Sequence, residues 1–106
     1  MTARLLDFAP AAWQEYQRVR AVEIGSRLRH ALERLADDPA LVRADPRSGR
    51  CLIIEKQLRQ APPVWALPVD GPDGGYWLVV WREIAQVIEI GYLGTARSTQ
   101  EAAAED

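Results

Sequence analysis

The residues able to bind an anion or move a proton are spread thinly along this chain. Arg50, Lys56 and Arg59 flank a short apolar stretch, Cys51 to Glu55. Arg82 closes the aromatic run Gly75 to Trp81, GYWLVVW, and Arg97 follows the last apolar segment. Cations in such places form either an ordinary solvated surface or a basic rim that touches RNA or a protein partner. Glu55, Glu83 and Glu89 are the carboxylates to weigh as a general base, which needs a pKa near the working pH. Glu89 stands out because it interrupts the apolar run Val87-Ile88-Glu89-Ile90. Tyr92 follows it and is able to donate a hydrogen bond or to stack on a base. His30, the only histidine, lies inside a helical pattern and reads as a helix-surface or boundary residue rather than a base. One cysteine, Cys51, and one histidine are too few ligands for a conventional zinc site, and no metal or cofactor is expected.

Composition sets the frame for these residues. The chain has 106 residues, 48% hydrophobic and 26% charged, which suits one globular domain rather than a disordered or membrane class. No apolar run approaches the roughly 20 residues of a membrane span. The start, MTARLLDFAP, does not read as a secretory signal, and a single cysteine suits a reducing cytoplasm, so a cytoplasmic protein is expected. Net charge is −2 and the isoelectric point is about 5.4, which argues against a strong non-specific nucleic-acid binder. Twelve of the thirteen cationic side chains are arginine, a bias that fits a GC-rich genome better than a binding site.

The elements that must position the candidates follow from hydrophobic period. Residues 3 to 8 read as a strand, and Pro10 then opens a helix through Arg20 with Ala12, Trp13, Tyr16 and Val19 apolar. A break is expected between Arg20 and Ser26, at Gly25, or else one helix runs through. Ile24, Leu28, Ala31, Leu32 and Leu35 form one apolar stripe, and this helix stops near Asp37-Asp38-Pro39. Residues 39 to 50 read as a loop and 51 to 55 as a short strand. Residues 64 to 69 form a strand that Pro68 confines to an edge or an irregularity. Residues 70 to 75, DGPDGG, are a turn, 76 to 81 the next strand, 82 and 83 a connection, and 85 to 92 the last strand. The predicted class is α+β: an N-terminal strand, two helices, then a three- to four-stranded antiparallel sheet. One domain over 1–98 and a flexible C-terminal tail over 99–106 are expected.

Alternation places Tyr76, Leu78 and Val80 on one face of the aromatic strand and Trp77, Val79 and Trp81 on the other. One face meets the helices. The other is expected to be apolar and aromatic, a partner surface in preference to a nucleotide site, with Arg50, Trp77, Trp81 and Arg97 as its candidate RNA- or partner-binding residues. The same alternation sets Glu89 with Val87 and Gly91, opposite Ile88, Ile90 and Tyr92.

Four segments, in this order, resemble the RelE/ParE superfamily of type II toxin–antitoxin toxins: "LLDFAPAAWQEY" (5 to 16), "ALERLADDP" (31 to 39), "VWALPVDGPDGGYWLVVW" (64 to 81) and "VIEIGYLGTARS" (87 to 98). The resemblance covers residues 3 to 98. It implies two helices against an antiparallel sheet, and a cognate antitoxin protein as partner, with a second copy of the chain as the other. One branch of the superfamily cleaves mRNA on the ribosome without metal, the 2′-hydroxyl attacking the adjacent phosphate. The other inhibits DNA gyrase. In ribosome-dependent members cations alternate along the hairpin's first strand, where this chain has Val64 to Val69. Trp77 stands at a further arginine position, and Tyr92 and Leu93 follow Gly91 at another. The usual cationic catalytic set is therefore lacking, and the catalytic candidates become Lys56, Arg59, Arg82, Glu89 and Tyr92. Two readings result: a toxin that cleaves mRNA or inhibits translation, or a non-toxic RelE-fold protein-interaction module.

Overall fold

The computed structural model describes residues 3–50, 63–72 and 74–95. The order is β1 (Leu5–Phe8), α1 (Pro10–Val19), α2 (Glu23–Asp37), α3 (Pro39–Ala44), β2 (Gly49–Arg50), β3 (Trp65–Asp70), β4 (Tyr76–Ile84) and β5 (Val87–Thr95). The strands form one sheet in the order β1-β5-β4-β3-β2. β1 runs parallel to β5, and the other pairings are antiparallel. The α+β class stands, with a five-stranded mixed sheet in place of the expected antiparallel three or four. The parallel pair arises because the helices carry the chain back across the sheet before β5 pairs with β1.

The predicted α2 stripe is the centre of the core: Ile24, Leu28, Ala31, Leu32 and Leu35 are all buried. They form one cluster with Leu67 and Val69 from β3, Val79 and Trp81 from β4, and Ile88, Ile90 and Leu93 from β5. Trp65 and Trp77 pack against it from the same side. Removing this much apolar surface from water is the main stabilising term of such a domain. The alternation read from the aromatic strand holds. Trp77, Val79 and Trp81 face the helices, while Leu78 and Val80 form a small second cluster on the outer face with Val64, Ala66 and Tyr92.

The helix boundary differs from expectation at Gly25. The chain breaks over residues 20 to 22, and Gly25 lies inside the first turn of α2. Its role is close approach. A Cβ there would stand 2.2 Å from the Val19 carbonyl oxygen and 2.5 Å from the Arg20 Cα. Residues 39 to 44, expected as loop, form α3, because Pro39 serves as the first residue of a new helix. Asp38 caps it, its Oδ1 accepting from the Leu41 N–H at 3.2 Å. The stretch 51 to 62, including the expected strand 51 to 55, and the tail 99–106 lie outside the described residues.

The strand ends also shift. β4 runs on through Arg82 and Glu83 to Ile84, and the connection shrinks to Ala85-Gln86, with φ of 51° and 64°. Two left-handed residues make the tight hairpin that matches strand twist, a geometry that Asn-Gly sequences normally advertise. Ala-Gln does not, which is why the sequence concealed it. Pro68 sits as expected: it opposes Leu78 on β4, while β2 reaches only Ala66 and Trp65 on the other edge.

Gly25→Ala is expected to lower unfolding free energy by about 1–3 kcal/mol through overpacking, whereas Gly49→Ala, with open space around its Cβ, should change it by no more than about 0.5 kcal/mol. Urea denaturation of both variants checks this. Trp81, at 1% exposure, should cost about 3–5 kcal/mol on truncation to alanine, the range for large aromatic residues in a core.

Candidate functional site

A β-bulge brings the polar candidates together. Val80 pairs with Tyr92 and Trp81 pairs with Ile90, so Gly91 is the extra residue on β5. Below the bulge Ile88 and Ile90 face the core and Glu89 faces out. Above it the alternation switches, so Leu93 faces the core and Tyr92 turns to the outer face. Tyr92 was expected opposite Glu89. The bulge places both on one face, and a strict two-residue period cannot show it.

Arg82 stands opposite Glu89 in the β4–β5 register. Its Nε donates to Glu89 Oε1 at 2.9 Å, and its Nη2 lies 2.9 Å from the same oxygen. Their side chains are 21% and 36% exposed, so the pair is partly sheltered from solvent screening. On the far side of Glu89, β1 sets Asp7 as its parallel register partner. The outer face thus carries a row Asp7, Glu89, Arg82, with Tyr92 and Val80 as the neighbouring cross-strand pair. Asp7 was missed in the sequence. Its alternation with Leu6 and Phe8 was visible, but its neighbourhood is created only by the parallel pairing.

The other candidates separate. Trp81 leaves the binding set: it lies in the core with Arg43 stacked over its ring at 5.7 Å, and a side chain so buried cannot offer its face to a ligand. Its indole nitrogen has no hydrogen-bond partner among the described residues. Trp77 is half-buried on the helix side, paired in register with Val69 and Thr95. Arg50 is exposed on β2, its guanidinium 5.8 Å over the Trp65 ring. Lys56, Arg59 and Arg97 lie outside the described residues. Glu83, weighed as a base, has a structural role: Oε2 accepts from Arg4 at 2.7 Å and Oε1 from Arg43 at 3.3 Å, tying α3 and the segment before β1 to β4. His30 is exposed on α2, as expected.

A second ionic centre closes the opposite end of the sheet. Arg47 binds both carboxylate oxygens of Asp70, at 3.1 and 2.8 Å, and Arg27 donates to the Asp70 carbonyl at 3.0 Å. Together with Arg34 and Asp45 these residues line an open cleft of about 490 Å³ between α2 and β3. Each arginine there faces a carboxylate: Arg27 with Glu23, Arg29 with Glu33, Arg34 with Asp45, Arg47 with Asp70. Among the described residues no three His, Cys, Asp or Glu side chains gather as a metal site, and no helix is long and apolar enough to cross a membrane.

The fold matches that of a solved structure of the Escherichia coli toxin RelE, an arginine-to-alanine double mutant in the free state. The TM-score is 0.64 at 17% identity, over 97% of this chain and 96% of that one. The chain therefore has a RelE-like fold. No protein-family model matches the sequence, and no curated protein matches it.

The Arg82–Glu89 pair is expected to show a coupling of about 1 kcal/mol in a double-mutant cycle with Arg82→Ala and Glu89→Gln, smaller at high salt. Chemical denaturation of the four proteins at two ionic strengths measures it.

Proposed function

We propose that this chain is the toxin component of a toxin–antitoxin pair, acting in the cytoplasm on translation and neutralised by a cognate antitoxin protein. The observation that carries the reading is the RelE-like fold over nearly the whole chain. The outer face supports it, because the bulge at Gly91 gathers a cation, a carboxylate and a phenol there.

Those three groups fit a metal-independent RNA cleavage. The ribose 2′-oxygen attacks the neighbouring phosphorus, and the bond from phosphorus to the 5′-oxygen breaks. Glu89 accepts the 2′-hydroxyl proton. Tyr92 donates toward the departing 5′-oxygen, and Arg82 turns from Glu89 to meet the charge that builds on the phosphate. A preorganised donor of that kind is worth roughly 3–4 kcal/mol in comparable oxyanion sites. Lys56 and Arg59 are the further cations assigned to the phosphate in this reading, and Arg50 and Arg97 to the RNA or the antitoxin.

One observation favours a second reading, a non-toxic interaction module on the same fold. Arg82 is already engaged by Glu89, and Asp7 adds a second carboxylate to the row, so a phosphate approaching this row meets two negative groups and one cation.

Induced expression of the chain alone in a bacterial host separates the two. A toxin arrests growth with a prompt fall in incorporation of radiolabelled amino acids, and Arg82→Ala and Glu89→Gln each relieve the arrest while circular dichroism stays native. Normal growth at verified soluble expression assigns the chain to the interaction reading.

A further inference from the structure

A groove of about 350 Å³ opens where α1 meets α2, near the lower end of the size range of specific binding sites. Trp13 and Tyr16 wall it, Gln17, Arg20 and Arg29 supply its polar groups, and Gly25 and Ser26 open α2 beneath. The period of α1 placed Trp13 with its buried residues. Trp13 is instead 46% exposed. It is held in place from behind, with Phe8 at 5.2 Å between ring centroids and Tyr16 at 6.1 Å. A large exposed ring kept rigid binds with little loss of conformational freedom.

The polar groups of the groove are unbalanced. Two guanidiniums line it and, among the described residues, no carboxylate does, in a chain of net charge −2. Arg20 donates to the neutral Gln17 Oε1 at 3.2 Å, and Arg29 stands 3.7 Å from Glu33 with both side chains largely exposed. The nearby Arg18, by contrast, is bonded to Glu15. The Gln17 amide nitrogen is buried without a partner among the described residues. Arg29 also borders the α2–β3 cleft, where every arginine faces an acid, so the difference of the α1–α2 groove lies in Arg20, whose hydrogen-bond partner is a neutral amide.

We infer that this α1–α2 groove docks an acidic, apolar-anchored peptide segment of a partner protein. The partner's carboxylates meet Arg20 and Arg29, and its apolar side chain packs on Trp13. Trp, Tyr and Arg are the residue types that dominate binding energy at protein interfaces. Nucleic acid is the less suited occupant, because a polyanion gathers repulsion from the whole of an acidic chain, while a short acidic segment meets only the groove. The inference deepens the proposed antitoxin pairing by naming the partner's chemistry, and it rests on that reading only for the partner's identity.

The test is a titration of the isotopically labelled full chain, followed by amide and indole NMR signals, the Trp13 indole being assigned with Trp13→Phe. The probes are a short acetylated peptide of Glu, Asp, Leu and Phe, its counterpart with Lys in place of every acid, and an oligouridylate. The expected result is saturable, salt-sensitive shifts at Trp13, Arg20, Gly25, Ser26 and Arg29 with the acidic peptide alone. Affinity should fall about tenfold or more in Trp13→Ala, and likewise in the Arg20→Ala/Arg29→Ala pair, which leaves the aromatic packing intact. Shifts caused by oligouridylate but not by the peptide would overturn the inference in favour of nucleic acid. So would shifts elsewhere on the surface, binding unchanged in both variants, or no shift with any probe. Binding is read without toxicity, so a harmless chain that takes the peptide counts against the toxin alone, and a toxic chain that ignores it counts against the groove alone.

Discussion

The packing of α2 on the β4–β5 pair is the constraint on which the rest of the molecule depends. Five apolar residues at helical spacing meet a sheet whose inner row is Trp77, Val79 and Trp81 on one strand and Ile88, Ile90 and Leu93 on the next. A helix stripe and a sheet face each need a partner to leave water, and here each supplies the other. Once the inner row is assigned, the pleat assigns the outer row as well. Arg82 and Glu89 face outward because Trp81, Ile88 and Ile90 must face inward.

The bulge at Gly91 modifies that rule at one point. An extra residue on β5 lets Leu93 return to the core and sends Tyr92 outward. Without the slip Tyr92 would turn to the helix side and the outer face would hold only the charged row Asp7, Glu89 and Arg82. The collection of chemistry-bearing groups on this face therefore depends on one unpaired backbone residue and the twist it introduces.

Charges act mainly as clips at the ends of this frame. Glu83 gathers Arg4 and Arg43, and Asp70 gathers Arg47 and the Arg27 contact to its backbone. The Asp70 pair is exposed and contributes little free energy, while the part-buried Glu83 pairs orient α3 and the chain start over a core that already holds. They also consume cations. Of the arginines along the described surface, several that looked available in the sequence are committed to carboxylates, whereas Arg20 at the α1–α2 junction donates to the neutral Gln17.

By itself the sequence determined the periodic features: the α2 stripe, the two faces of the aromatic strand, the outward Glu89, the turn at 70 to 75 and the place of Pro68. Each depends on neighbours within a few residues, where side-chain direction repeats with helix or strand geometry. It also carried a resemblance to RelE/ParE toxins, and the RelE-like fold agrees with it. Tertiary structure decided the rest. The parallel β1–β5 pairing put Asp7 beside Glu89, the bulge moved Tyr92, the approach of α1 to α2 gave Gly25 its purpose, and burial took Trp81 out of the binding set and left Trp13 exposed. These are relations between segments distant in the chain. Local propensity cannot express them, because burial and register are properties of the packed elements and not of any one residue's neighbours in sequence.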